Sequence, residues 1–152
     1  MASLDSDQIT KILNFNRITR RFFQGCYPSD RAPSKNELNY PAALIFNLDK
    51  SNEKGSHWTA VFISGKNQEV NYFDSYSIEP TREIKQFLNQ YNNLRKNRYP
   101  YQSLNTKVCG HYCITFIYFL SLGYPYEKFL QLLNSTENSD LFVKNIVRKM
   151  LK

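Results

Sequence analysis

A polar loop ends at a cysteine in the segment Gln102-Ser-Leu-Asn-Thr-Lys-Val-Cys109-Gly110-His111-Tyr112-Cys113. Nearly every residue from there to Leu122 is apolar, which predicts a thiol in the first turn of a buried helix. Unpaired N–H groups and the helix dipole at that terminus favour the thiolate, the nucleophilic form of cysteine. Gln102 lies seven positions before Cys109 and can return across the loop as a hydrogen-bond donor. The segment indicates a cysteine hydrolase, if other parts of the chain supply a base.

The composition indicates one globular domain over residues 1–152, long enough to build a core. No apolar run reaches the ~20 residues that span a bilayer, so we expect no membrane partner. The first residues lack a basic start and an apolar signal region, and the cysteines are few and odd in number. We therefore expect an intracellular protein that is not secreted and that keeps its thiols reduced.

The chain carries a formal net charge of +7, and its basic residues form clusters. Such a surface is either an ordinary solvated one or one that attracts a polyanion such as nucleic acid, and the sequence favours neither. The clusters comprise Arg17, Arg20 and Arg21, then Arg95, Lys96 and Arg98, then Lys144, Arg148, Lys149 and Lys152.

Strand signals dominate the first half of the chain. An apolar run predicts a buried strand over Ala42–Leu48, and β-branched and aromatic residues predict two more, His57–Ile63 and Glu69–Asp74. Ser64–Gln68 joins the latter two as a hairpin turn. We predict a loop over Gly25–Pro33, from its Gly and Pro content, and a short edge strand over Tyr99–Leu104.

Helices are predicted at both ends of the chain and between the strands. One begins near Ser6, one is capped by Thr81, and the buried central one runs from Cys109 until Gly123 and Pro125 stop it. Two amphipathic helices follow, at about 126–133 and 140–151. This order of helices and strands predicts an α+β fold.

The hairpin also predicts a catalytic base. If its turn centres near Lys66, His57 lies opposite about position 75, beside Asp74. An imidazole with a carboxylate neighbour is an oriented and tunable general base. If Cys109 faces the same end of the hairpin, a Cys–His–Asp constellation is complete.

Each of these residues also has an ordinary interpretation when taken alone. A histidine at a strand start is usually a polar strand residue, an aspartate there is usually a turn former, and a cysteine in an apolar helix is usually inert core. We expect inert packing for Cys113. No second cluster of ligands supports a zinc site at Cys109, His111 and Cys113, so we expect no metal.

Several motifs together resemble the adenovirus-type cysteine endopeptidases (adenains), which are related to the ubiquitin-like-protein proteases. The resemblance covers roughly residues 20–125. The similar segments occur in the family's order and are Gly25-Cys26-Tyr27-Pro28, Gly-Ser-His57-Trp58, Tyr72-Phe73-Asp74-Ser75, Gln102, and Cys109-Gly110 with Cys113 one turn on.

The resemblance implies a papain-like cysteine protease with a small mixed sheet packed against a buried central helix that carries the nucleophile. It implies that Cys109 attacks a peptide carbonyl, His57 is the base, Asp74 orients it, and Gln102 stabilises the oxyanion. Trp58 and Gly110 would bind substrate, although Trp58 is equally well explained as a core aromatic.

Adenovirus enzymes use a peptide activator tethered through a cysteine before the oxyanion glutamine. Residues Tyr91–Tyr101 contain no cysteine, so we do not expect that disulfide here. No cofactor is required by the sequence, and the positive charge is compatible with activation by DNA or by a peptide.

Three functions remain open. The first is a viral or virus-like endopeptidase that cleaves structural precursor proteins at Gly-containing sites, acting as a monomer in the host nucleus or the virion. The second is a protease or isopeptidase for ubiquitin-like modifiers. The third is an inactive basic module that binds nucleic acid.

Overall fold

A computed structural model of the protein describes residues 3–49, 57–65 and 69–152. Most of the strands come first and three consecutive helices come last, the order typical of an α+β fold. They are α1 Ser6–Phe15, β1 Phe23–Pro28, β2 Ala42–Asn47, β3 Trp58–Ile63, β4 Glu69–Phe73, α2 Arg82–Leu88, β5 Asn93–Lys96, α3 Cys109–Ser121, α4 Tyr126–Ser135 and α5 Ser139–Met150.

The five strands form one mixed sheet in the order β1-β2-β3-β4-β5. The inner pairs β2–β3 and β3–β4 are antiparallel, and the outer strands β1 and β5 each pair parallel with their neighbour. The predicted α+β fold with a small mixed sheet is thus confirmed.

Helices cover both faces of the sheet, because its central strands are apolar on both sides. Side chains of one parity, such as Ile45, Ala60 and Phe73, pack with α1, α3, α4 and α5. Those of the other parity, such as Phe46 and Tyr72, pack with α2. This double burial explains why β2 is a continuous apolar run rather than an alternating one.

Helix α3 is buried nearly all round, as its sequence predicts. Its centre is fixed by Phe116, whose ring stacks on Phe73 of the sheet at 5.4 Å and packs edge-on against Phe129 of α4 at 5.8 Å. The helix ends at Ser121, and Gly123 follows its C-cap with a φ of 99° that suits glycine. This packing sets the position of Cys109 at the opposite, N-terminal end.

Two predictions about the edges of the sheet are wrong. The first part of Gly25–Pro33 belongs to strand β1, because an edge strand tolerates Pro28 at its end and a bulge lies between Phe23 and Gly25, whose φ is 152°. The second edge strand is β5 rather than Tyr99–Leu104. All four β5 residues are exposed, and Leu94 is the one apolar residue among them. The strand therefore lacks an alternating pattern.

The predicted hairpin between β3 and β4 is present, with a register one position along from the prediction. Ala60 pairs with Phe73, and Ile63 pairs with Val70. Residues 66–68 of the predicted turn lie outside the described residues. The other helices are confirmed, including the Thr81 cap of α2. Within the described ranges, no helix is long and apolar enough to cross a membrane.

Candidate active site

Three element ends place Cys109, His57 and Asp74 in one location. Cys109 is the first residue of α3, His57 directly precedes β3, and Asp74 directly follows β4. Since α3 packs across β3 and β3 pairs with β4, the three termini converge. All three side chains are at most 8% exposed. The hairpin predicted that His57 and Asp74 are neighbours, and the structure places them so.

The imidazole of His57 is hydrogen-bonded to an acid and lies near the thiol. Its Nε2 lies 2.7 Å from Oδ1 of Asp74, and Cys109 is close enough to contribute to the raised pKa of the ring. Because Nε2 is engaged by Asp74, Nδ1 is the ring nitrogen left for the thiol. This arrangement orients a base toward a nucleophile.

Burial lowers the pKa of His57, but its hydrogen bonds and charge interactions with Asp74 and Cys109 outweigh burial and raise it to about 9. The charged imidazolium is therefore the form that this site stabilises.

Tyr76 is a component of the site that sequence reasoning missed. Its ring stacks on the imidazole with centroids 5.1 Å apart, and its backbone N–H donates to Oδ1 of Asp74 at 2.8 Å. The only signal in the sequence is its place two residues after an aspartate, where a side chain often bonds the backbone of a turn.

Asn97, at the end of β5, holds the backbone of Asp74. Its Nδ2 donates to the Asp74 carbonyl at 2.7 Å, and its Oδ1 accepts from the Asp74 N–H at 3.1 Å. The side chain of Asn97 thus makes the two hydrogen bonds that the backbone of a paired strand would make, just beyond the end of the β4–β5 pairing. The buried Asp74 is held in place by its backbone as well as by its carboxylate.

Both the oxygen and the nitrogen of the Gln102 carboxamide form hydrogen bonds. The hydroxyl of Ser75 donates to Oε1 at 2.6 Å, while Nε2 donates toward the carbonyl and hydroxyl oxygens of Thr106 at 2.9 and 3.1 Å. The amide nitrogen carries two N–H donors, and both acceptors that it meets here belong to Thr106.

The loop that carries Gln102 is anchored to the helices behind it. Ser139 donates to the carbonyl of Tyr101 at 3.1 Å. Asp140 accepts from the Tyr112 hydroxyl at 2.6 Å and from the Ser103 N–H at 3.4 Å. Helix α5 therefore determines where the glutamine lies, a role that no local sequence pattern revealed.

Trp58 and Gly110 both contact the N-terminal segment. The indole N–H of Trp58 donates to the Leu4 carbonyl at 3.1 Å, and the half-buried ring packs partly into the core. A Cβ at Gly110 would lie 3.3 Å from side-chain atoms of Leu4 and Ile9, so a larger residue there would press on this segment. Their assignment to substrate binding stays a prediction.

The other candidate groups are unsuited to catalysis. Burial raises the pKa of Cys113 well above that of an ordinary thiol, in keeping with the inert packing predicted for it. Burial, together with Lys144, lowers the pKa of His111 to about 4. No group of three or more His, Cys, Asp or Glu side chains suited to a metal occurs in the described part of the chain.

A model of the Ulp1 protease family, C-terminal catalytic domain, matches residues 43–149. The chain belongs to this family. It is accordingly a cysteine-protease domain, a hydrolase, of the Ulp1 type. The matched model describes Ulp1 proteases, so the finer likeness to adenovirus-type enzymes stays a prediction.

Relatives of this Ulp1-family domain include a viral protein. "Putative thiol protease R355" of Acanthamoeba polyphaga mimivirus is 32% identical over 101 residues, which cover 59% of this chain and 33% of that protein. The chain thus spans about a third of the length of the curated relative it matches.

Two solved structures share the fold. "SUMO protease Ulp1 with the catalytic cysteine oxidized to a sulfinic acid" is 17% identical with a TM-score of 0.54, over 99% of this chain and 80% of that one. "Crystal Structure of ASFV pS273R protease" is 16% identical with a TM-score of 0.53, over 89% of this chain and 62% of that one. At these identities the likeness concerns the fold alone.

Proposed function

We propose that this Ulp1-family domain is an endopeptidase in which Cys109 is the nucleophile, His57 the general base and acid, Asp74 the orienting carboxylate and Gln102 the oxyanion donor. The observation that carries the proposal is the convergence of three groups at the N-terminus of α3, where the Asp74 carboxylate is hydrogen-bonded to the His57 imidazole and the Cys109 thiol lies close to that ring. Covalent acyl transfer requires a thiol nucleophile, a base beside it and a group that orients the base.

The reaction follows from these contacts. Nδ1 of His57 takes the thiol proton, and the thiolate attacks the carbonyl carbon of the scissile peptide. The imidazolium then gives that proton to the leaving amine, and the acyl group stays on Cys109 as a thioester. Water, deprotonated by His57, attacks the thioester and releases the carboxylic acid with the free thiol. Asp74 keeps Nε2 protonated and holds the ring plane throughout.

The negative charge on the carbonyl oxygen needs donors in place before the reaction. An N–H of the Gln102 carboxamide is one, and the backbone N–H of Cys109 is the other, because the first N–H groups of a helix have no partner within it. Each such donor contributes about 10²-fold or more to the rate.

We propose viral or virus-like precursor proteins as substrates, cleaved at Gly-containing sites, with the host nucleus or the virion as the place of action. The mimivirus relative supports a viral setting. The alternative is a protease for ubiquitin-like modifiers, which membership of the Ulp1 family supports. An inactive nucleic-acid-binding module is disfavoured, because such a role does not require a carboxylate, an imidazole and a thiol grouped at one helix terminus.

A substrate comparison separates these functions. Purified protein is assayed on a Gly-containing peptide library and on a ubiquitin-like precursor with a C-terminal extension, with Cys109→Ala as the control. We expect peptide cleavage with a kcat/KM at least about 10-fold above that for the precursor. Cleavage of the precursor alone would favour the modifier protease, and cleavage of neither would refute the endopeptidase.

DNA and a peptide remain proposed activators. The exposed residues Arg17, Arg20 and Arg21 support a polyanion site. The second cluster supports it less, because Arg95 pairs with Glu69 and Glu127, and Lys96 pairs with Glu79. We propose that the domain acts as a monomer and requires no other cofactor.

The raised pKa of His57 predicts an alkaline limit to activity. The imidazolium is lost as pH rises through about 9, so kcat/KM should fall above that pH. The stability contribution has the same sign, since it is fully present below pH 6.5 and lost as pH rises through about 9. Rate profiles and denaturant unfolding between pH 6 and 10 measure both.

Asp74→Asn provides the control for the pH profile. It removes the charge that raises the His57 pKa, so the alkaline limb should move to lower pH while weakened activity remains. An unchanged limb in this variant would contradict the assignment of that limb to His57.

A further inference from the structure

We propose that Ser75 is a positioning residue that sets which end of the Gln102 carboxamide faces the reacting carbonyl. The inference rests on the proposed function, in which Gln102 donates to the oxyanion. Ser75 lies outside the series of carboxylate, imidazole and thiol, and it would touch neither substrate nor nucleophile. Its effect on the reaction would pass entirely through the glutamine.

Three hydrogen bonds join Ser75 to the glutamine segment. The Ser75 hydroxyl donates to Oε1 of Gln102 at 2.6 Å. The Ser75 carbonyl accepts from the backbone N–H groups of Tyr101 at 2.7 Å and Gln102 at 3.1 Å. Ser75 is 1% exposed and Gln102 is 6% exposed, so water has little access to replace these bonds. Ser75 thus holds both the backbone and the side chain of Gln102.

The orientation of the amide matters because its two ends have nearly the same shape and opposite hydrogen-bonding roles. With Oε1 toward Ser75, Nε2 lies toward Thr106, so the N–H end of the amide is the end available for the oxyanion. A flipped amide would turn oxygen toward the Thr106 carbonyl, which can only accept, and toward the negative charge of the intermediate. The Ser75 hydroxyl donates to Oε1 and so stabilises the productive orientation that the Thr106 carbonyl also requires.

Ser75 also couples the two halves of the site. It directly follows Asp74, whose backbone is clamped by Asn97. The residue pair Asp74-Ser75 therefore positions the imidazole through one side chain and the oxyanion donor through the next. Any displacement of this short segment shifts both groups together, and this keeps their relative geometry constant.

The test compares Ser75→Ala with a matched buried serine. Ser29 is also 1% exposed, and its hydroxyl has no partner among the described residues. Ser75→Ala should lower kcat about 10-fold with KM nearly unchanged, while Ser29→Ala keeps the wild-type kcat. The alkaline limb near pH 9 should not move in Ser75→Ala, because the contacts of His57 are intact.

A double-variant cycle decides whether Ser75 acts through Gln102. In the Gln102→Ala background, adding Ser75→Ala should cost no further activity. A wild-type kcat for Ser75→Ala, additive losses in the double variant, or a shifted alkaline limb would each overturn the proposal. If Ser75→Ala does not fold, Ser75→Cys keeps the shape with a weaker donor. Its kcat should then lie below that of the wild type, and a wild-type kcat would again overturn the proposal.

These outcomes differ from a failure of the proposed function. If Gln102→Ala itself leaves kcat unchanged, the oxyanion role of Gln102 is wrong and the function must be revised. If Gln102→Ala lowers kcat and Ser75→Ala does not, only the positioning role of Ser75 is wrong.

Discussion

Replacing Cys109 by alanine should lower kcat for peptide cleavage by at least about 10³-fold, while the domain stays folded. The variant removes the only atom that forms the covalent intermediate, and no other thiol can replace it. Cys113 is 1% exposed with a raised pKa, and burial raises the pKa of Cys26 to about 11. Single-turnover peptide cleavage and circular dichroism measure the two parts of this prediction.

Cys113→Ala is the matched control, because it removes a thiol one turn further along the same buried helix. It leaves a small cavity, so the melting temperature should fall by a few degrees while kcat stays within about twofold. Retained cleavage in Cys109→Ala would refute the assignment of the nucleophile. Loss of cleavage in Cys113→Ala, with its fold intact, would also contradict it.

The Cys109→Ala variant should also change the titration of His57. The thiol is one of the groups that raise the His57 pKa to about 9, so its removal should lower that value while Asp74 keeps its own contribution. An NMR titration of the imidazole reports this shift directly. An unchanged pKa would mean that His57 and Cys109 do not interact.

Gln102→Ala should lower kcat by about 10²- to 10³-fold with little effect on KM, because an oxyanion donor acts mainly in the transition state. The variant also leaves the hydroxyl of Ser75 and the carbonyl of Thr106 without their hydrogen bonds to Gln102, so we expect it to be less stable than the wild type. Steady-state kinetics on a Gly-containing peptide separate kcat from KM.

Gln102→Glu sharpens the test, since glutamate keeps the shape of the side chain and still accepts from Ser75 but has no N–H to donate. Its kcat should fall at least as far as that of Gln102→Ala, because the carboxylate would face the oxyanion. Gln86→Ala, on the exposed face of α2, should leave kcat unchanged. Wild-type activity in Gln102→Glu would show that this amide donates nothing to the reaction.

The candidate nucleophile, base and acid found from the sequence share one property, which is that each follows from a local signal. Cys109 lies where a polar loop meets an apolar helix, and one hairpin with a short turn carries both His57 and Asp74. The turn sets the register to within one position, enough to predict that the two side chains are neighbours. Gln102 entered through the resemblance to known proteases and through its distance from Cys109.

The residues that sequence reasoning missed act over long separations in the chain. Asn97 bonds Asp74 across 23 positions, Ser75 bonds Gln102 across 27, and Asp140 bonds Ser103 across 37. A buried asparagine or serine has the same local pattern as an exposed one. The hydrogen bonds that distinguish them exist only after distant segments have packed together.

By itself, the sequence determined the α+β class, the buried nucleophile helix and the hairpin that unites base and acid, because apolar periodicity and turn chemistry are local properties. Only the tertiary structure decided the edge strands β1 and β5 and the network through which Ser75 and Asn97 hold the site. An edge strand has a solvated side and lacks an alternating pattern of apolar residues. The hydrogen bonds that position the site become strong only where folding excludes water from them.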